Sequence, residues 1–341
     1  MADFNSVESV LHCQEAATIL EVQAFLYGEY RLAELPLDRD LISESYIEYV
    51  QKRGELWDDP DYLRKEPETC FGEAQAYLLE NARGHLKTSS ENLGDHYPFD
   101  NSKLESGVIY RKENVTAIGT AYIWLKLFLL SRSDNNYLQL TGNLEAKKFN
   151  KEFQKVFEYL AIFAVSGKYR GVSWMSAPIR GAAQFLVLLE EICGELGHGT
   201  VKALDQLTAH QLSTNDGRID AVHITQFQSS YRSDSEIYLM QATTQKKNLR
   251  DKVVKFGNAR FFDDFFIQKL NQAKHGILVV PYEHQDILSN DCAIDNCIYF
   301  PLPSILNHLG SVELTGRLAS YAGQFSEKFS NINVGLSLQK L

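Results

Sequence analysis

Asp220, Gln241 and Thr243 are polar residues placed in two segments otherwise built for a sheet. Asp220–Phe227 (DAVHITQF) and Glu236–Thr243 (EIYLMQAT) alternate side chains at period two around a Ser-rich loop, which reads as an antiparallel hairpin. Asp220 shares a face with Val222 and Ile224, and Gln241 and Thr243 share one with Ile237 and Leu239. Pairing Phe227 with Glu236 sets Asp220 opposite Thr243 and Gln241 opposite Val222. Three polar groups then converge at one end of an apolar sheet face. A carboxylate in such a place is costly unless something charged joins it, and a divalent cation is the natural partner. Mg²⁺ takes hard oxygen ligands, keeps several waters and needs only one or two carboxylates. The bland alternative is that Asp220, just after the turn signal "NDG", caps that turn.

A basic stretch follows directly. From Gln245 to Arg260 stand Lys246, Lys247, Arg250, Lys252, Lys255 and Arg260 against one acid, Asp251. The whole chain carries a formal net charge of −10, so this is a local reversal, set where a phosphate backbone would lie beside the polar cluster. Arg250, Lys252, Lys255 and Arg260 are its candidate nucleic-acid contacts. The competing reading is a solvated helix face.

The run "DGRIDAV…EIYLMQATTQKKN" resembles the core of the PD-(D/E)xK nucleases, the restriction-endonuclease-like superfamily. It is most similar to the Mrr-type branch, where an Asp motif after a glycine is followed a strand later by Gln-x-Lys. The resemblance implies that Asp220 binds Mg²⁺ or Mn²⁺ and that Gln241 stands in the second ligand position. Thr243 occupies the place of the lysine, so Lys246 or Lys247 would have to reach back, with Lys247 favoured because an Asn follows it. A helix glutamate, Glu190 or Glu191, would complete the ligand set. The implied activity is a metal-dependent DNA endonuclease, the effector subunit of an anti-phage defence or restriction system, with an ATPase or helicase as protein partner and a homo-oligomer compatible with it. The alternative, supported by Thr243 in the lysine position, is a catalytically decayed binding or assembly subunit on the same fold.

These residues need elements to hold them. The 341 residues suffice for two domains, and 44% hydrophobic with 23% charged is ordinary for a globular protein. The first half reads as helices: one stopped by Pro36, then 43–57, the stretch around FGEAQAYLLENARGHL, TAIGTAYIWLKLFLLSRS, and AKKFNKEFQKVFEYLAIFAVSG. From about residue 170 the pattern becomes helix, three strands, helix, strand, with 203–212 as the first strand and one long helix over 248–273. The expected fold is therefore α/β: a helical N-terminal domain (1–170) for partner docking, and a restriction-endonuclease-like mixed sheet flanked by helices (171–341). The N-terminus lacks a basic, apolar leader and no apolar run reaches bilayer length, so the expectation is a cytoplasmic protein without a membrane span. The cysteines, five in number and scattered, give no zinc spacing; "CAIDNC" lacks a second pair.

Overall fold

The computed structural model describes residues 7–31, 67–100, 102, 104–131, 139–140, 146–176, 181–213, 219–225, 235–244, 249, 252, 260–282, 297–330 and 336–337. The chain divides into two compact units, residues 1–147 with 332–341, and residues 148–331. The sequence-based boundary at 170 lies one helix later.

In the first unit α1 (Val7–Tyr27) leads into β1 (Glu29–Arg31). The helix does not run on towards Pro36. Gly28 adopts φ +89 and returns its N–H to Ala24 O at 2.9 Å, a left-handed exit that a side chain would oppose. Arg111 then closes the helix end by donating from Nη1 to Phe25 O at 2.6 Å. α2 (Pro67–Leu93), β2 (Phe99–Asp100), β3 (Val108–Arg111), α3 (Ala117–Leu130) and β4 (Gln139–Leu140) follow. The small sheet runs β1-β3-β2, and Leu336–Ser337 pairs with β4. The helix expected over 43–57 lies outside the described residues.

α3 is buried almost all round, Lys126 included. That lysine is tolerable because Glu21 Oε2 lies 3.1 Å from its Nζ. Glu21 is fully buried, and its Oε1 accepts from Tyr97 OH at 3.0 Å and Tyr122 OH at 2.7 Å. Burial first, and then the Glu21 charge, push both phenols well above their ordinary range.

The second unit contains the α/β sheet. Its elements are α4 (Ala146–Lys168), β5 (Gly171–Met175), α5 (Ala182–Leu196), β6 (Thr200–Val201), a short helix (Ala209–Ser213), β7 (Ala221–Thr225), β8 (Ile237–Ala242), a helical turn (Arg260–Asp263), β9 (Phe266–Gln268), β10 (Lys274–Val279), β11 (Cys297–Phe300), α6 (Leu302–Leu309) and α7 (Gly316–Phe329). The five-stranded mixed sheet has the order β11-β10-β8-β7-β5. β8, β10 and β11 are parallel, and β7 is antiparallel to both of its neighbours.

Three sequence expectations are corrected here. The strand beside β7 is β5, which precedes α5; residues 203–212 form a 3₁₀ turn and the start of the short helix. Thr208-x-x-Gln211 makes a reciprocal cap there: Gln211 Oε1 accepts Thr208 N at 2.8 Å and Thr208 Oγ1 accepts Gln211 N at 3.3 Å. Second, the expected helix over 248–273 is interrupted. Leu249 and Lys252 are helical, the turn ends at Asp263, and Phe266–Gln268 leave as β9 to pair with β6. Third, β7 and β8 pair as Ala221↔Met240, Val222↔Leu239, His223↔Tyr238 and Ile224↔Ile237, two residues from the expected register. Thr225 and Glu236 close the ladder, Thr225 N donating to Glu236 O at 3.0 Å and Glu236 N to Thr225 Oγ1 at 2.9 Å.

A shift of two leaves every side chain on its expected face. One face carries Trp174, Val222, Ile224, Ile237, Leu239 and Leu278, packed with Phe185, Leu189 and Ile192 of α5 and with Leu249 and Phe262. The other carries a row that crosses four strands, Ser173↔His223↔Tyr238↔His275. Ser173 Oγ bonds His223 Nδ1 at 2.7 Å and Ser166 Oγ of α4 at 2.8 Å. Tyr238 stacks on Tyr169 with ring centroids 4.6 Å apart and donates to Glu236 Oε2 at 2.6 Å. His223 is fully buried; its Nδ1 is bonded to Ser173, while its buried Nε2 has no hydrogen-bond partner. Among the described residues no helix is long and apolar enough to cross a membrane.

Candidate functional site

The polar cluster sits where β7 begins and where β8 and β10 end. Asp220 stands at the mouth of β7. Its N–H donates to Met240 O at 2.9 Å, and its carbonyl accepts Ser176 N, just past β5, at 3.0 Å. Main-chain bonds on both sides therefore fix its backbone. Its carboxylate turns along β8, where Oδ2 accepts Ala242 N at 2.7 Å. The ladder extended by one position sets Asp220 against Gln241, not against Thr243.

Gln241 is half-buried, yet its Oε1 is buried and has no hydrogen-bond partner. An amide oxygen held out of water without a donor costs on the order of 1–3 kcal/mol. A hard cation would satisfy it, since amide carbonyls are oxygen ligands for Mg²⁺ and Ca²⁺. One carboxylate and one amide oxygen at a sheet end are a sparse donor set, suited to an ion that keeps most of its waters.

Thr243 is buried and tied to β10 by its N–H, which donates to Val279 O at 3.0 Å. Its hydroxyl accepts from Lys252 Nζ at 2.6 Å. Burial pulls the Lys252 ammonium below its ordinary pKa and the Asp220 charge opposes that pull, so the two charges feel each other. An ammonium from the helical residue 252 thus reaches the end of β8 at Thr243. Tyr282 OH, donating to Thr244 O, closes the end of the cluster.

Sequence reasoning placed Lys252 among the phosphate contacts and looked to Lys246 or Lys247 for the ammonium. A signal for Lys252 exists. It stands three residues after Leu249, which is core, so it shares that residue's helix face and points at the sheet. Lys246, Lys247, Arg250 and Lys255 lie outside the described residues. Arg260 opens the helical turn before β9.

Glu190 and Glu191 are exposed on α5. Glu191 Oε2 pairs with Arg317 Nη1 of α7 at 2.8 Å, and that guanidinium lies 5.1 Å from the Trp174 ring, on the edge strand. Among the described residues no three His, Cys, Asp or Glu side chains gather so as to hold a metal. The oxygen-bearing pair at this sheet end is Asp220 with Gln241. Cys193 and Cys297 are free thiols.

No family model, no curated protein and no solved structure matches the chain.

Proposed function

We propose that the second unit is a metal-dependent phosphodiesterase acting on DNA, with a restriction-endonuclease-like arrangement of its sheet. The observation that carries this reading is the Lys252 ammonium, brought 2.6 Å from Thr243 Oγ1 at the sheet end that also holds Asp220. An acid at the start of one strand, an oxygen ligand at the end of the next and an ammonium beside them suit hydrolysis of a phosphate ester. Asp220 and Gln241 would hold Mg²⁺ or Mn²⁺, and such an ion, when bound, polarises a phosphoryl oxygen and makes a bound water acidic. Lys252 would face the charge that grows on the phosphoryl oxygens. Thr243 orients that ammonium. The basic segment around Lys246 to Arg260 would take the neighbouring phosphates, as the local charge reversal suggests.

A plasmid-nicking assay with Mg²⁺ or Mn²⁺ tests the reading. Asp220→Asn is the informative ablation, because an Asn oxygen can still accept Ala242 N and preserve the strand end. It should abolish nicking and leave the fold intact. Lys252→Met should lower the rate on the order of 10²-fold or more under saturating DNA. Lys246→Ala and Lys247→Ala should mainly weaken binding and flatten its salt dependence. Wild-type nicking by Asp220→Asn would exclude the site. A chain that binds DNA but never nicks it favours the assembly subunit, a reading supported by the single carboxylate found at this sheet end among the described residues.

A further inference from the structure

Opposite charges meet at this sheet end. Among the described residues Asp220 brings a carboxylate, bonded to Ala242 N at 2.7 Å, and Lys252 brings an ammonium to the adjacent residue, Thr243, at 2.6 Å. Gln241, facing Asp220 along the ladder, contributes an oxygen and no charge. A divalent cation arriving at Asp220 and Gln241 therefore meets a carboxylate whose charge already acts on the nearby ammonium, which is held at Thr243. Like charges in a half-buried setting repel strongly, because the local dielectric is well below that of water. A phosphodiester adds negative charge beside the ammonium and gives it a further partner.

We infer that Lys252 is an internal counter-ion that antagonises the metal at Asp220 and Gln241, and that a nucleic-acid phosphate relieves this antagonism, so that metal and DNA load together. This rests on the nuclease reading of the site. The consequence runs against the usual expectation for a catalytic ammonium. Removing it should harm cleavage and improve metal binding at once. Thermodynamic linkage adds a check: the factor by which DNA tightens the metal equals the factor by which the metal tightens DNA.

The test is Mn²⁺ binding to the full chain, read by the loss of the free-ion paramagnetic resonance signal, with and without a saturating duplex oligonucleotide. Lys252→Met and Lys252→Gln are compared with wild type. The Gln variant keeps a donor for Thr243 without the charge, so it separates charge from shape. In the absence of DNA both variants should bind Mn²⁺ at least about tenfold more tightly than wild type, a difference of about 1.4 kcal/mol. DNA should tighten wild type by a similar factor and the variants much less. Asp220→Asn should remove the binding in every condition. Mn²⁺ affinity unchanged in both lysine variants, or tight in wild type without DNA, overturns the antagonism and leaves the nuclease reading standing. No Mn²⁺ bound by any form, including Gln241→Glu with DNA present, overturns both.

Discussion

Burial of His223 should make the second unit acid-labile in a defined window. The ring is fully buried, its Nδ1 bonded to Ser173 Oγ at 2.7 Å, with the stacked Tyr169 and Tyr238 rings beside it. Desolvation lowers its pKa from 6.5 to about 4, against a smaller opposing effect of the Tyr169 backbone. The unfolded chain therefore binds a proton below about 6.5 that the folded chain refuses until about 4. Stability from this residue is fully present above the unfolded pKa and is lost as pH falls from about 6.5 towards about 4. At about 1.4 kcal/mol per pH unit, that interval is worth about 3 kcal/mol. The neighbouring phenols add nothing in this range, since burial raises both Tyr169 and Tyr238. The perturbation is His223→Asn, whose amide can still serve Ser173. It costs a constant amount through lost volume, but it cannot titrate. Hydrogen exchange of peptides across β7 and β8, measured in urea at about pH 7 and about pH 4 and corrected for intrinsic rates, reads the opening free energy in both proteins. Carboxylates shared by both proteins cancel in the comparison. Wild type should lose about 3 kcal/mol more than the variant between the two conditions. Equal losses would refute the argument that the ring stays neutral in the fold.

Two further outcomes concern packing. A methyl at Gly167 would fall inside the van der Waals shell of the His308 carbonyl oxygen, so Gly167→Ala should force α4 and α6 apart and cost about 1–3 kcal/mol, seen as a lower urea midpoint. In the first unit, Glu21→Gln or Lys126→Met alone should cost about 3–5 kcal/mol, because each strands its buried partner. The double variant should cost clearly less than the two together, and a strictly additive double variant would show that the pair is not coupled.

The period-two pattern made Asp220 and Gln241 legible, because side-chain alternation depends on local sequence alone. It did not fix the register. That was set by the Thr225–Glu236 closure, and an error of two residues happens to preserve faces while changing which residues are opposed. Lys252 was legible as a base but not as a member of the cluster, since its reach depends on how Leu249 seats the helix on the sheet. The strand wrongly expected at 203–212 had its own warnings in Thr208-x-x-Gln211, a helix-start pattern, and in the three-residue spacing of Leu204 and Leu207. β5 was hidden for the opposite reason. GVSWM is short, lies between a helix and a proline, and earns its place in the sheet only through pairing with residues fifty positions away.

β5 is an edge strand, and such edges invite another chain to add a strand. Here the invitation is withdrawn at the end nearest Asp220. Met175 N, which faces away from β7, donates to the hydroxyl of Tyr321 on α7 at 3.1 Å. A side chain thus takes the position that an incoming backbone carbonyl would need. A peptide zipping along β5 would have to displace that hydroxyl, and with it α7, before its hydrogen bonds could reach the level of the carboxylate.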